Sequence, residues 1–281
     1  MSIADRHTSQ VLYERLPRPL AVEPHLALNK GQGPAKGVIR INRQSTFSYV
    51  CNACGRCCHN QVITLSPYDL RCIARAAGIS SASARSRFTI KRGLMLRFRD
   101  DGACAALDGV RCGIHPGRPL ACRLYPLGLE RGEGEAGERF VRLAPASRSA
   151  GEYGNKSTVH DFLEQQGAPG YPAMIDRYRP LIARFRARVL ELVDFEQVEP
   201  REFWRRAIRE ALAESGYDEN PIIEALFDPN CDNPSDDDAV AAHIEVLSLM
   251  ISQTDDAAAV AAAGIMLAIS LGYSAREVGT A

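Results

Sequence analysis

Residues 47–65 read FSYVCNACGRCCHNQVITL, and their reading decides what kind of fold the chain can adopt. Cys51, Cys54 and Cys57 succeed one another at two x2 intervals, with Cys58 directly after, so four thiols fall within eight residues. Two cysteines separated by two residues can turn around one metal ion and leave backbone amides free to hydrogen-bond the sulfurs. Zinc ribbons and iron–sulfur ligand loops share this device. Adjacent side chains in an irregular backbone do not readily converge on one ion. Cys58 is therefore expected at a second site, or beside the first as a spare or redox-active thiol.

Working outward, Cys104, Cys112 and Cys122 add three more candidate metal ligands, with His59 and His115 nearby. Cys112-Gly-Ile-His115 has ligand-like spacing, although a hydrogen-bonded structural histidine fits it as well. His59 is expected to be exposed or beside the site. Cys72, inside an expected helix, and Cys231, in the loop DPNCDNPSD, read as ordinary residues. Arg56, Arg71, Arg75, Arg111, Arg118 and Arg123 gather around the thiols. Guanidinium groups there favour the thiolate form that binds metal, or could hold an anion.

Ser66-Pro67-Tyr68-Asp69 is a helix start, with Ser66 as N-cap, Pro67 in the first helical position and Asp69 completing a capping box. That helix should run to Ala77 and stop at Gly78. Short apolar segments follow at Leu94–Phe98, Cys104–Leu107, Leu124–Leu129 and Arg139–Leu143, the last two reading as a hairpin with a long turn at Gly132-Glu133-Gly134. Beyond Ser157 the pattern turns helical. Helices are expected over Ser157–Gln166, Pro172–Val193, 200–215, 221–227 and 235–252, the last capped by Ser235 and carrying the stripe Val240, Ile244, Leu247 and Ile251. Ala257 to Leu271, AAAVAAAGIMLAISL, spans only about 22 Å as a helix, short of a hydrocarbon core of about 30 Å. It reads as a packed core helix between a Thr254 cap and a Gly272 stop.

The fold class is thus α+β: a small irregular metal-stabilised cysteine module with short strands, followed by a mostly helical C-terminal region. Three parts are expected: a poorly structured arm over 1–45, punctuated by proline and glycine; a cysteine-cluster domain with flanking helices over 46–193; and an acidic helical region over 194–281. The 34 basic and 34 acidic residues of the chain cancel, but they are not mixed. Residues 36–149 carry 19 Lys/Arg against 8 Asp/Glu, and residues 194–281 carry 5 against 18. The two halves should attract one another, or each awaits a partner of opposite sign. Nine cysteines in 281 residues are too dilute for a disulfide scaffold. No apolar run of signal-peptide length opens the chain, which points to the cytoplasm, where clustered thiols stay reduced. No RNA-recognition signature accompanies the basic residues, which points away from nucleic acid.

CNACGRCC together with ACAALDGVRCGIHPGRPLACRLYP resembles the CxxCxxCC, or YkgJ-type, cysteine-cluster family of zinc- or iron-chelating proteins. The matching positions are Cys51, Cys54, Cys57, Cys58, Cys104, Cys112, Cys122, Arg118, Pro119, Arg123, Tyr125 and Pro126, and STVHDFLEQQG downstream is also similar. The resemblance covers about residues 46–180. It implies a metal-binding protein holding zinc or iron, an iron–sulfur cluster of the 4Fe–4S type included. The seven cysteines would be the ligands, with His115, Arg118, Arg123 and Tyr125 as a further ligand or supports. Members often carry an eighth cysteine before the stretch matching Ser157, whereas ASRSAGEYGNKS has none, which counts against an eight-thiol, two-site arrangement. The flagellin lysine N-methylases look related in this module, which raises protein-lysine methylation with S-adenosylmethionine. Against that, Gly31-x-Gly33 is the only hint of a glycine-rich fingerprint. A redox or cluster-assembly adaptor that docks a protein partner through its acidic helices is a third reading.

Overall fold

The computed structural model describes residues 39–130, 138–144, 149–213, 220–229 and 232–273. The expected arm up to residue 38, the turn at Gly132-Glu133-Gly134 and Cys231 lie outside the described residues. The fold class is α+β, with short strands early and a helical C-terminal region.

The strands form small antiparallel pairs. β1 (Arg40–Ile41), β8 (Arg139–Arg142) and β7 (Leu127–Glu130) make a three-stranded sheet in the order β1-β8-β7. In β7–β8, Leu127 pairs with Arg142 and Glu130 with Arg139, which is the expected hairpin with its first strand starting later. The segment before it, Leu120–Leu124, is a helical turn (α3), and Tyr125–Pro126, a cis peptide, separates it from the strand. β2 (Thr46–Val50) pairs with β9 (Glu152–Thr158). Of the other apolar segments, only Met95–Leu96 (β4) and Leu107–Asp108 (β5) are extended in ladders. They pair with Thr89–Ile90 (β3) and Arg111–Cys112 (β6) respectively. Gly109, at φ 56°, makes the tight return between β5 and β6, a conformation glycine adopts without steric cost.

The first helix, α1 (Pro67–Ala77), follows its sequence signals. Ser66 and Asp69 form the capping box, and Gly78 closes the helix at φ 66°. α2 spans Ser81–Phe88. The helix expected over Ser157–Gln166 is Val159–Gln165 (α4), capped by Thr158 because Ser157 still belongs to β9. The long helix expected from Pro172 to Val193 is two: Gly170–Asp176 (α5) and Arg179–Leu192 (α6). Pro180 sits in the first turn of α6, where its missing N–H has no helical partner to lose.

Pro200–Ala211 (α7), Pro221–Leu226 (α8), Asp236–Gln253 (α9) and Ala257–Ser270 (α10) follow among the described residues. Asp256, not Thr254, caps α10, accepting from the Ala258 and Ala259 amides, while the Thr254 hydroxyl bonds back to the Met250 carbonyl and closes α9. Every residue of α10 from Ala259 to Ser270 is buried. Its small side chains permit close packing: a Cβ at Gly264 would come within 2.9 Å of Phe185 on α6. Among the described residues no helix is long and apolar enough to cross a membrane.

The larger apolar cluster joins α1 and the Leu94–Ile114 loops to α5, α6, α7, α8, α9 and α10. The smaller one packs Phe47, Leu127 and Phe140 of the strands against Leu124 of α3 and Val159, Phe162 and Leu163 of α4. The cysteine-bearing loops lie around the first, with α3 between the two.

Candidate metal centre

The loop carrying the first thiols is held by backbone bonds, because it has too few apolar side chains to hold itself. Gly55, at φ 69°, starts a 3-10 turn over Arg56–Cys58, and the Cys58 amide donates to the Gly55 carbonyl at 3.0 Å. The loop is then tied to the next thiol segment: Cys104 N–H to Cys58 O at 2.8 Å, and Asn60 N–H to Gly102 O at 2.8 Å. His59 reaches back with Nδ1 to the Gly55 carbonyl at 3.0 Å, so it braces this turn. Cys112 is delivered by the β5–β6 return and Cys122 by α3. The first turn of α3 is pinned where the Leu120 amide donates to Asp69 Oδ1 at 2.8 Å.

These elements surround a cavity of about 600 Å³. Cys51, Cys57, Cys58, Cys104, Cys112 and Cys122 all line it, as do His115, Arg118 and Tyr125. Cys54 is not among the lining residues; its sulfur accepts from the Ala150 amide at 3.4 Å. Cys72 on α1 does not line it either. The eight described cysteines are all free thiols.

Cys57 and Cys58 Sγ stand 3.9 Å apart, so the two neighbouring side chains do converge. The Cys58 S–H bond to Cys57 lowers the Cys57 pKa, and the same bond, with burial, drives Cys58 up. The pair gives up one proton readily and the second with great difficulty. Burial raises Cys122, with charge on Cys104, Cys112 and Cys57 adding to it. Burial also raises Cys112, and Cys57 adds to that. Cys58 in turn feels Cys122 and Cys112. Charge on Cys57, Cys104, Cys112 and Cys122 thus opposes ionisation of neighbours within this group, and Cys58 feels Cys57, Cys112 and Cys122, so the five thiols lie near enough to interact. Cys104 is raised chiefly by burial, and Cys54 is lowered by the Ala150 amide.

Among the described residues, no three His, Cys, Asp or Glu side chains are already set at metal-holding distances. The donor set is nonetheless the right one for a thiophilic ion: several thiols, backbone amides aimed at Cys54 and Cys104 sulfur, and a cationic group beside them. The separation of Cys57 and Cys58 also matches the ~3.8 Å edge of a tetrahedron with bonds of about 2.3 Å.

The supports divide sharply. Arg118 Nη1 donates to the His115 carbonyl at 2.9 Å and toward His115 Nδ1 at 3.3 Å, and Nη2 donates to Gln166 Oε1 at 2.9 Å. A guanidinium can only donate, so Nδ1 carries the lone pair. Burial, with Arg118 and Arg123 nearby, lowers the His115 pKa. The neutral ring then has its proton on Nε2, leaving that nitrogen no lone pair for a metal. Arg123 is a clamp for the chain: Nε donates to Arg118 O at 3.1 Å, Nη1 to Gln166 O at 2.9 Å, and Nη2 to Pro116 O and the Tyr171 hydroxyl at 2.5 and 2.9 Å. Tyr125 packs edge-on to Tyr49 at 6.0 Å.

Arg71 and Arg75 turn away to Asp236 on α9, and of the six gathered arginines Arg111 and Arg118 line the cavity. Sequence reasoning passed over Gln166, which holds both Arg118 and Arg123, and over the link from Asp69 to α3. Nothing local signals either, since both partners lie more than 40 residues away along the chain.

No curated protein and no solved structure matches the chain. Residues 50–144, which contain every cysteine lining the cavity, match the family model CxxCxxCC, described as "Putative zinc- or iron-chelating domain".

Proposed function

We propose that the domain chelates a single thiophilic divalent ion, zinc before iron, through Cys57, Cys58, Cys112 and Cys122. The observation that carries this reading is the 3.9 Å approach of Cys57 to Cys58. Two thiolates on one tetrahedral ion stand about that far apart. In a four-iron cluster each thiolate takes its own corner, and the sulfurs spread wider. Cys104 and Cys51 also line the cavity, while Cys54 lies outside it, its sulfur accepting from the Ala150 amide. The bound ion supplies the positive charge that lets four mutually repelling thiols ionise together. Arg118 offsets one of the two negative charges left over, and His115 takes the role of its acceptor rather than of a ligand.

Metal analysis of protein purified without oxygen tests this. A colourless protein with about one zinc per chain is the expected result. A brown protein absorbing near 400 nm would replace the single ion by an iron–sulfur cluster. Cys122→Ser should abolish stoichiometric metal while Cys72→Ser keeps it. Full metal content in Cys122→Ser would remove that residue from the ligand set.

A further inference from the structure

The cavity is far larger than its thiols require. An ion with four sulfurs fills a small corner of about 600 Å³, and a volume of that size is ordinary for a small-molecule site, which runs from about 300 to 1,000 Å³. The thiols occupy one side. Apolar side chains, Val62, Leu129 and Ile175 among them, supply much of the rest, drawn from the loop before α1, from β7 and from α5. The charges on the wall are unequal. Among the described residues Asp69 is the one carboxylate lining it, and both oxygens are taken, by the Ser66 amide and hydroxyl and by the Leu120 amide. Arg118 and Arg111 face that single acid, and among the described residues no carboxylate pairs with Arg118, whose bonds go to His115 and Gln166. A half-buried guanidinium held in place by neutral acceptors keeps its charge available to whatever enters beside it.

We propose that this chamber binds a small organic anion with an apolar body, its anionic group toward Arg118 and its body along the Val62 and Leu129 walls. The proposal goes beyond the metal reading, and the apolar walls and Arg118 are the same whichever ion the thiols hold; thiolates left negative by that ion would oppose the anion, so the metal content of each sample is measured with the titration.

The test is a fluorescence titration of metal-analysed protein with 1-anilinonaphthalene-8-sulfonate, an apolar anion, and with N-phenyl-1-naphthylamine, its uncharged counterpart. Both should saturate at about one per chain, the sulfonate about ten-fold tighter, a difference of about 1.4 kcal/mol. Leu129→Trp and Val62→Trp, from separate elements, should each weaken both dyes about ten-fold, with circular dichroism and metal content unchanged. Arg118→Gln should erase the preference for the sulfonate, and Arg118→Lys should keep it. Absence of saturable one-to-one binding, or unaltered binding in both tryptophan variants, overturns the chamber. Equal binding of the two dyes, or a preference that survives Arg118→Gln, overturns the anion and leaves Arg118 serving the thiolates alone. Because metal is measured on the same samples, lost zinc with intact dye binding counts against the metal reading only.

Discussion

His243 sits on α9 with 4 % of its surface exposed, and its two nitrogens are fully used. Nε2 lies 2.8 Å from the Ala225 carbonyl, which can only accept, so Nε2 carries the proton and Nδ1 accepts from the Tyr178 hydroxyl at 2.9 Å. Burial lowers the His243 pKa, against smaller opposing effects of the Ala225 carbonyl and of charge on Asp228. A depressed histidine stabilises the fold fully above its unfolded value of about 6.5 and loses that contribution as pH falls toward the folded value. Urea unfolding at pH 7.5 and pH 5 should therefore show a drop of about 1–2 kcal/mol in the native chain that is missing in His243→Gln. Equal drops in both would remove this residue as the cause. The same residue marks a limit of sequence reading. The stripe Val240, Ile244, Leu247 and Ile251 was legible, yet His243 lies three residues after Val240 and four before Leu247, on the buried side with them. A polar side chain reads as solvent-facing until its two partners, from α8 and the α5–α6 corner, are known. The thiols behave similarly. Spacing pointed to thiols gathered in one region, and six of the seven line one cavity, but Cys54 lies outside it and the approach of adjacent Cys57 and Cys58 depends on the 3-10 turn after Gly55.

Elements were legible where their signals are local. The capping box of α1 and the acid-filled start of α9 are set by residues three apart, and both appear as expected. β9 was not legible, because EYGNKST has no apolar alternation and is extended only because β2 offers it a partner about a hundred residues away. The break between α5 and α6 was hidden for a different reason: Ile175, Tyr178, Leu181 and Phe185 keep their helical spacing across it, and all four are buried. Asp69 joins the two kinds of information. Oδ2 accepts from the Ser66 amide and hydroxyl, a local cap, while Oδ1 accepts from Leu120 and so starts α3, which carries Cys122. Ser66→Ala should cost about 1 kcal/mol of stability and leave metal affinity unchanged. Asp69→Ala orphans donors at both sites, so it should cost about 3 kcal/mol and, on the proposed metal reading, lower metal affinity as well. Paired urea and zinc-competition titrations separate the two variants, and wild-type zinc affinity in Asp69→Ala would break the proposed link between α1 and the centre.

At the scale of the molecule, the opposed charges of the two ends meet inside the fold. Asp236, the first residue of α9, accepts from Tyr68 at 2.9 Å, from Arg71 at 2.9 Å and from Arg75 at 2.7 Å, all on α1. Arg85 of the basic stretch pairs with Glu224, and Arg177 and Arg188, from the stretch between the two ends, pair with Asp237 and Asp255. Basic residues that the sequence placed near the thiols are thus drawn, in the case of Arg71 and Arg75, into holding the helical region. These contacts differ in weight. The Arg71 side chain is 0 % exposed, so removing its carboxylate strands a buried charge, whereas Asp237 is 75 % exposed. A stranded buried partner costs about 3–5 kcal/mol, while an exposed pair contributes about 0–1 kcal/mol and is screened by salt. Asp236→Ala should accordingly lower the urea midpoint far more than Asp237→Ala, and should do so equally at 50 mM and 1 M salt. Raising salt in the native chain should remove only the small share of the exposed pairs. If Asp236→Ala matched Asp237→Ala, or if 1 M salt erased its effect, the attraction between the two ends would be a surface field rather than a buried lock on Arg71.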